Sequence, residues 1–193
     1  MKQFEKFRFI LGSGSPRRKA LLSEMGFSFE QIVKEVDESF PEDLESTKVA
    51  EYISQKKAQA FESTLKEQDI LICADTVVVY GSAILGKPKD RAEGILMLQK
   101  MSNSNHVVHT GVSIWGKDKC LSFTDTSEVE LSNISTQEIE YYMDHYKPFD
   151  KAGAYGIQEW LGHNFIKSIK GSYTNIMGFP TEKVYRSLVN FIS

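Results

Sequence analysis

The chain has 193 residues, of which 41% are hydrophobic and 25% are charged, a composition typical of one soluble globular domain. Its formal net charge is -3, and this lack of a basic excess excludes a general binder of long nucleic acids. The two cysteines, Cys73 and Cys120, lie far apart and indicate neither a disulfide scaffold nor a zinc site. Because no apolar run approaches the length of a membrane span and the first residues do not resemble a signal peptide, we expect a cytoplasmic protein without a membrane partner.

The hydrophobic pattern predicts interleaved strands and helices. In chain order we expect a strand at 7–11, a helix at 16–25, a strand at 27–33, an acidic loop at 35–45, a helix at 46–66 and a strand at 69–80. These are followed by a returning strand at 83–85, a helix at 91–101, strands at 107–115 and 121–131, a helix from 135, a strand at 165–169 and a helix at 181–191. Two of the strand pairs resemble hairpins, which favours a mixed α/β sheet, and we expect one domain over residues 1–193.

The first segment with chemical character follows the first predicted strand. Small residues at 12–15 lead into Pro16, which suits the first turn of a helix, and then into Arg17, Arg18 and Lys19. Glycines and a helix N-terminus present backbone N–H groups to anions, and arginine adds bidentate contacts to phosphate. The segment therefore predicts a phosphate site, although a surface turn with solvated charges would show the same pattern.

The second segment is Asp75-Thr76, inside the most apolar predicted strand. A carboxylate in such a strand is costly unless it is paired, hydrogen-bonded or bound to a metal. Asp75 is therefore a candidate functional residue, and the alternative is a structural carboxylate that tethers a neighbouring loop.

Two further segments add candidate ligands. Residues 81–88 have the glycine and lysine spacing of a P-loop, but Pro88 replaces the Ser or Thr that would bind Mg²⁺, so only Lys87 is retained as a phosphate contact. Gln158 ends a glycine-containing loop and offers both a donor and an acceptor, as recognition of a pyrimidine edge requires. His106 and His109 are three residues apart in a strand, point to opposite faces and do not form a metal pair.

Taken in order, these segments resemble the Maf family over about residues 8–192. The matching pieces are Ser13-Gly-Ser-Pro-Arg17-Arg18, Lys57-Ala58, Ala74-Asp75-Thr76, Lys87-Pro88-x-Asp90, His109-Thr110-Gly111-Val112, the run from Asp150 to Gln158, the run from Ile169 to Tyr173, and Gly178-Phe179-Pro180. Each piece is weak alone, whereas the ordered set is specific.

The resemblance implies a two-lobed mixed α/β domain with a deep cleft, similar to the inosine-triphosphate pyrophosphatases. It implies hydrolysis of a nucleoside triphosphate to the monophosphate and pyrophosphate, with Asp75 as the proton acceptor and a divalent metal cation, Mg or Mn, as cofactor. Arg17, Thr76 and Gln158 occupy the positions tied to the choice of substrate, and the form around Gln158 is similar to the dTTP/UTP branch. Two departures are Glu159-Trp160, where the family pattern has Gly, and Lys56, where a Glu is common.

A triphosphate carries roughly four negative charges near neutral pH, so its site must supply cations. Because Mg²⁺ prefers one or two carboxylates plus phosphate oxygens, we expect Asp75 and Glu38 to hold the metal. We expect the substrate to be bound by the side chains of Ser13, Arg17, Arg18, Lys57, Thr76, Lys87 and Gln158.

The expected partner is the nucleoside triphosphate itself, and a homodimer is left open. The implied role is hydrolysis of dTTP and UTP, with removal of non-standard nucleotides and a link to cell-division arrest among its consequences. The alternatives are a 7-methyl-GTP pyrophosphatase, against which Gln158 argues, and a nucleotide-binding regulator of septum formation. A pure binder would not need Asp75 among phosphate-binding cations.

Overall fold

The computed structural model describes residues 2–193, which fold into alternating strands and helices. The strands are β1 (Arg8–Leu11), β2 (Phe29–Gln31), β3 (Asp69–Tyr80), β4 (Ala83–Leu85), β5 (Asn105–Trp115), β6 (Cys120–Leu131) and β7 (Ile166–Lys170). The helices are α1 (Pro16–Glu24), α2 (Ser46–Gln59), α3 (Arg91–Met101), α4 (Thr136–Tyr146), α5 (Trp160–Phe165), α6 (Tyr173–Ile176) and α7 (Thr181–Ile192). Within residues 2–193, no helix is long and apolar enough to cross a membrane.

The strands form one mixed sheet, with the order β2-β1-β3-β5-β6-β7 and with β4 paired to β3. β1 runs parallel to both β2 and β3, whereas the pairs β3–β4 and β6–β7 are antiparallel. The parallel pairs need helical crossovers, which α1 and α2 supply. Of the antiparallel pairs, β3 and β4 are joined by a turn, whereas residues 132–165, which include α4 and α5, connect β6 to β7. The mixed sheet predicted from the sequence is therefore confirmed.

The chain divides into two compact units. The first unit contains the residues up to Asp75, together with Thr110–Asp125 and Gly178–Ser193. The second unit contains Thr76–His109 and Thr126–Met177.

Each unit has its own apolar core. In the first unit, buried residues of β1 and β3 pack against the end of α2, and they include Ile10, Ala58, Phe61, Leu71 and Cys73. In the second unit, a larger cluster joins β3, α3, β6 and α4 and includes Val78, Leu98, Val129, Ile139 and Tyr142. The apolar runs from which the strands were predicted are thus the runs that fill these cores.

Cys73 is fully buried within the core of the first unit. Burial raises the pKa of its thiol to about 12, so the side chain stays protonated and behaves as a small apolar residue. The sequence-based interpretation of Cys73 as a core residue is confirmed.

The predicted elements differ from the observed ones mainly at the ends. β2 is shorter than predicted and pairs only over Phe29–Gln31, opposite residues 9–11 of β1. The predicted helix at 46–66 ends at Gln59, and a 3₁₀ turn at Glu62–Thr64 then lies between the core residues Phe61 and Leu65. The short helices α5 and α6 were not predicted, since four to six residues are too few to show a helical period.

Gly111 of β5 lies directly against helix α2. A Cβ atom at this position would collide with the backbone of Ala50 and Glu51, which cannot move without displacing the helix. Gly111→Ala should therefore lower the free energy of unfolding, measured by urea denaturation, by about 1–3 kcal/mol or more. The matched control is Gly86→Ala, where a Cβ would meet no described atom within 4 Å, and its stability should change by no more than about 0.5 kcal/mol. Equal stabilities for the two variants would contradict this packing argument.

Candidate functional site

Asp75 lies in the middle of β3, between the buried stretches 69–74 and 77–79. Its carboxylate is only 13% exposed, so it needs a charged or hydrogen-bonding partner to remain ionised. Lys57, in the last turn of α2, supplies that partner: its Nζ donates to Asp75 Oδ1 at 2.7 Å. The costly carboxylate predicted from the sequence is thus paired with a cation that the sequence also singled out.

The same ammonium group holds a second carboxylate. Lys57 Nζ lies 2.9 Å from Glu38 Oε1, and Glu38 is 51% exposed within the irregular segment 32–45. Two carboxylates, one nearly buried and one open to solvent, therefore meet on one side chain of α2. We call Asp75, Lys57 and Glu38 the carboxylate pair and its lysine.

The loop between β1 and α1 begins at the end of β1, which pairs with β3, the strand that carries Asp75. Gly12 donates its backbone N–H to the Ile72 carbonyl at 2.9 Å, and a side chain here would collide with Cys73. Ser15 caps the helix, because its side chain accepts a hydrogen bond from the backbone N–H of Arg18. The glycine predicted to allow close approach of a ligand is therefore required first by packing between β1 and β3.

Arg18 is anchored to the protein backbone. Its Nε donates to the Gly178 carbonyl at 2.8 Å, and its Nη1 donates to the Ala74 carbonyl at 2.8 Å and to Ser13 Oγ at 3.2 Å. The Ala74 carbonyl belongs to the residue before Asp75, so Arg18 helps to fix the strand that carries the carboxylate. Its predicted role as a phosphate ligand stays a prediction.

The electrostatic surroundings of Arg18 are mixed. Burial lowers the pKa of its guanidinium, the charge of Asp75 opposes that shift, and the neighbouring charge of Arg17 adds to it. Arg17 is half-buried in the first turn of α1. Two adjacent cations at a helix N-terminus disfavour each other and favour an anion nearby.

The side-chain oxygen and the carbonyl of Ser13 are both engaged within the first unit. Its Oγ accepts from the backbone N–H of Ser15 at 3.3 Å, and its carbonyl accepts from Gln31 Nε2 at 2.7 Å. The predicted substrate-binding role of Ser13 is not tested by these contacts, which show a residue that fixes the loop. The contribution of Gln31 was missed, because a glutamine in a short edge strand carries no recognisable sequence signal.

The remaining predicted ligands belong to the second unit. Thr76 follows Asp75 in β3 and is half-buried, Lys87 is exposed after β4, and Gln158 precedes α5. The backbone N–H of Gly153 donates to the Gly86 carbonyl at 3.1 Å, so the segment that bears Lys87 meets the loop that leads to Gln158. The structure thereby brings together two segments that lie far apart in the sequence.

Gln158 as a whole is half-buried, but its side-chain oxygen is completely buried. The Oε1 atom is buried and has no hydrogen-bond partner among the described residues. Burying an amide oxygen without a hydrogen-bond donor costs about 1–3 kcal/mol. Such an atom in a folded protein is therefore a candidate acceptor for a donor on a ligand.

The donor set fits a divalent cation only in combination with a ligand. In the part of the chain from Lys2 onwards, no group of three or more His, Cys, Asp or Glu side chains is arranged to hold a metal ion. Asp75 and Glu38 nevertheless converge on one point, which Lys57 Nζ occupies. Two carboxylates match the way Mg²⁺ binds when phosphate oxygens complete its coordination.

Comparison with known proteins finds relatives that match nearly the whole chain. The sequence model of the family described as Maf-like protein matches residues 8–191. The chain is 46% identical over 189 residues to the dTTP/UTP pyrophosphatase of Flavobacterium psychrophilum, covering 98% of this chain and 97% of that one. It is 41% identical to the protein of the same name from Parabacteroides distasonis, covering 99% and 100%. It is 45% identical to that from Bacteroides thetaiotaomicron, covering 95% and 96%.

Among solved structures, the chain resembles the Ham1 protein of Staphylococcus aureus. The TM-score is 0.52 at 15% sequence identity, and the match covers 95% of this chain and 98% of the other. At this identity the likeness concerns the fold alone. Together with the mixed sheet, it confirms the fold class expected from the sequence.

Replacing Lys57 tests whether the carboxylate pair depends on its lysine. Lys57→Met keeps the aliphatic stem but leaves the nearly buried Asp75 without its cation, so the free energy of unfolding at pH 7 should fall by about 1–3 kcal/mol. The matched control is Lys56→Met on the same helix, whose ion-pair partner Asp37 is 75% exposed. Because exposed ion pairs contribute about 0–1 kcal/mol, denaturant titration should show little change for the control. A larger loss for Lys56→Met than for Lys57→Met would reverse this assignment.

Proposed function

The chain belongs to the Maf-like protein family, and from that premise we propose that it is a pyrophosphatase that hydrolyses dTTP and UTP to the nucleoside monophosphate and pyrophosphate. The observation that carries the proposal is the pairing of Asp75, a nearly buried carboxylate, with Lys57, which also holds Glu38. The relatives named dTTP/UTP pyrophosphatase, which match over nearly the whole chain, support the choice of substrate.

The proposed reaction adds one water molecule across the anhydride between the α- and β-phosphates. The water forms a new bond to phosphorus and gives up a proton, the bridging P–O bond breaks, and pyrophosphate leaves. Asp75 is the proposed acceptor of that proton. Lys57 Nζ, which donates to Asp75 Oδ1, would orient the carboxylate for that transfer.

The negative charge of the triphosphate must be offset by cations. We assign this work to Arg17, Lys57 and Lys87, and we keep Arg18 as a fourth phosphate ligand. Arg18 reaches the backbone carbonyl before Asp75, so a phosphate near the carboxylate would also lie near its guanidinium. Charge-assisted hydrogen bonds to phosphate are worth about 1.5–3 kcal/mol each.

A divalent cation, Mg²⁺ or Mn²⁺, would be held by Asp75 and Glu38 together with phosphate oxygens of the substrate. When bound, such an ion neutralises charge that develops on the pyrophosphate leaving group. Lys57 would then exchange part of its contact with the carboxylates for contact with phosphate. Because Glu38 is half exposed, it can change partners without leaving a buried charge unpaired.

The base is the proposed ligand of Gln158, with Thr76 and Arg17 shaping selectivity. The buried and unpartnered Gln158 Oε1 supports this assignment, since an N–H of a pyrimidine edge would supply the missing donor. We propose the cytoplasm as the location of the enzyme, because its substrates are nucleoside triphosphates.

Asp75→Asn tests the proposed general base. The amide keeps the shape of the side chain but cannot accept the proton, so kcat should fall by about 10²–10⁴-fold. The assay follows pyrophosphate release from UTP with Mg²⁺, Mn²⁺ and chelator arms. Asp37→Asn, beside Glu38 on the same exposed segment, is the control and should retain near-normal turnover. An Asp75→Asn enzyme with more than about half of the normal kcat would remove Asp75 from the mechanism.

A panel of nucleotides tests base selection. A site built around hydrogen bonds rejects ligands that leave them unpaired, so kcat/KM for dTTP and UTP should exceed that for CTP, ATP and GTP by at least about tenfold. CTP is the informative competitor, because its exocyclic amine replaces a carbonyl and reverses the hydrogen-bond sense. Gln158→Ala should narrow the preference for UTP over CTP. If 7-methyl-GTP is the best substrate in the panel, the proposed substrate is wrong while pyrophosphatase activity stands.

A further inference from the structure

We propose that Tyr142, Lys151 and Glu159 form a buried lock that holds Gln158 in position and thereby sets the preference for its base. We call these three side chains the loop lock, and we call residues 150–159 the base loop. The proposal rests on the function proposed for Gln158 and goes beyond it, because none of the three residues touches the base in this account. They are positioning residues.

The three side chains form a continuous network within the second unit. Tyr142, on α4, donates its hydroxyl proton to Glu159 Oε2 in a short hydrogen bond. Lys151 Nζ lies 3.0 Å from Glu159 Oε1, so both oxygens of that carboxylate are engaged. Glu159 thus connects α4 to the beginning of the base loop from a position directly after Gln158.

The lock also holds the backbone on the other side of Gln158. The Tyr142 hydroxyl oxygen accepts a hydrogen bond from the Gly156 N–H at 3.0 Å, and the Gly156 carbonyl accepts from the Glu159 N–H at 3.0 Å. Gly156 to Glu159 is therefore a turn in which Gln158 is the third residue and both ends are fixed by the lock. A side chain at Gly156 would press against Glu159 and Lys151, which shows how closely the lock packs on this turn.

Burial makes these contacts strong. Tyr142 is fully buried, and the Lys151 and Glu159 side chains are only 10% and 19% exposed. Burial and the hydrogen bond to Glu159 raise the pKa of Tyr142, so the phenol remains a donor throughout the pH range of an enzyme. Lys151 Nζ also lies 2.7 Å from Asp150 Oδ1, but that carboxylate is 53% exposed, so loss of Glu159 would leave the buried ammonium with only a solvent-exposed partner.

The base loop needs such support because part of its backbone is strained. Gly153 and Ala154 both have left-handed backbone angles, with φ of 69° and 60°. For alanine this conformation costs about 1–3 kcal/mol and persists only where the surroundings enforce it. The loop lock contacts the loop on either side of these residues, through the Lys151 ion pair and the hydrogen bond from the Gly156 N–H. These contacts hold the backbone in its left-handed conformation.

A fixed backbone matters for recognition because Gln158 keeps a buried oxygen without a partner. An amide that is held in place can discriminate between a donor and an acceptor on the base, whereas a mobile amide can turn to suit either. The lock therefore affects discrimination between UTP and CTP, and it does not affect binding of the triphosphate that the two substrates share.

Tyr142→Phe tests the lock with the loss of one oxygen atom. It removes the donor to Glu159 and the acceptor for the Gly156 N–H while retaining the ring. The ratio of kcat/KM for UTP to that for CTP should fall about tenfold, well within the effect of misplacing a binding group by 1 Å. The loss should be in KM for UTP, with kcat changed by less than about twofold, because base contacts are made equally in the ground state and the transition state.

The matched control is Tyr146→Phe on the same helix. Tyr146 stacks on Tyr142 with ring centroids 5.1 Å apart, and it is 38% exposed. The ratio of kcat/KM for UTP to that for CTP in Tyr146→Phe should equal the ratio in the unaltered enzyme. Hydrogen exchange gives a second readout that needs no turnover: peptides covering residues 150–159 should exchange faster in Tyr142→Phe and not in Tyr146→Phe.

Glu159 supplies a graded test of the same lock. Glu159→Gln retains an acceptor for Tyr142 but loses the charge that pairs with Lys151, whereas Glu159→Ala loses both. The UTP-to-CTP ratio should therefore decrease in the order unaltered enzyme, Glu159→Gln, Glu159→Ala.

The outcomes separate a positioning role from a structural one. A structural role would lower the folded fraction, reduce both rates in proportion and leave the UTP-to-CTP ratio unchanged, and that result in Tyr142→Phe would overturn the proposal. If the unaltered enzyme hydrolyses CTP as well as UTP, base recognition by Gln158 fails first, and the lock loses its role with it. A lowered ratio in Tyr142→Phe, with faster exchange in the base loop and no change in Tyr146→Phe, would support the lock.

Discussion

The ion pair between Lys57 and Asp75 is the interaction on which the site in the first unit depends. The central position of Asp75 in an apolar strand would be untenable for a lone carboxylate, and Lys57 makes it tenable at a separation of 2.7 Å. Because the lysine comes from the last turn of α2, correct packing of that helix on the sheet is a condition for the proposed chemistry. The close approach of Gly111 to the same helix shows how little freedom that packing has.

Buried polar groups organise the second unit in a similar way, with a different purpose. There the network of Tyr142, Lys151 and Glu159 is fully engaged, whereas the Gln158 oxygen beside it is not. A network that satisfies itself stabilises a single arrangement of the chain, and one unsatisfied atom at its edge is then available to a ligand. Glu159 has partners for both of its carboxylate oxygens, whereas the adjacent Gln158 has none for its amide oxygen. This difference separates the supporting residue from the residue proposed to contact the base.

Much of the fold could be predicted from the sequence, because its strongest signals are local. β3 was predicted with its observed bounds, and the helix predicted from residue 135 begins where Ser135 caps α4. Pairing of the edge strand β2 and the short α5 could not be predicted, since these depend on neighbours rather than on period. For the site, the costly carboxylate pointed to Asp75, but nothing in the pattern showed that one lysine would hold it together with Glu38.

Arg18 shows why a cation in a phosphate-like motif is not by itself a ligand. Its observed donors reach the carbonyls of Ala74 and Gly178, so a structural role already accounts for its place in the sequence. Yet these contacts also place the positive charge of Arg18 at Ala74, the residue before Asp75. Burial and the neighbouring charge of Arg17 both disfavour that positive charge. An anion arriving near the carboxylate would relieve that disfavoured charge. The same geometry that anchors the strand is therefore compatible with the proposed contact between Arg18 and a phosphate.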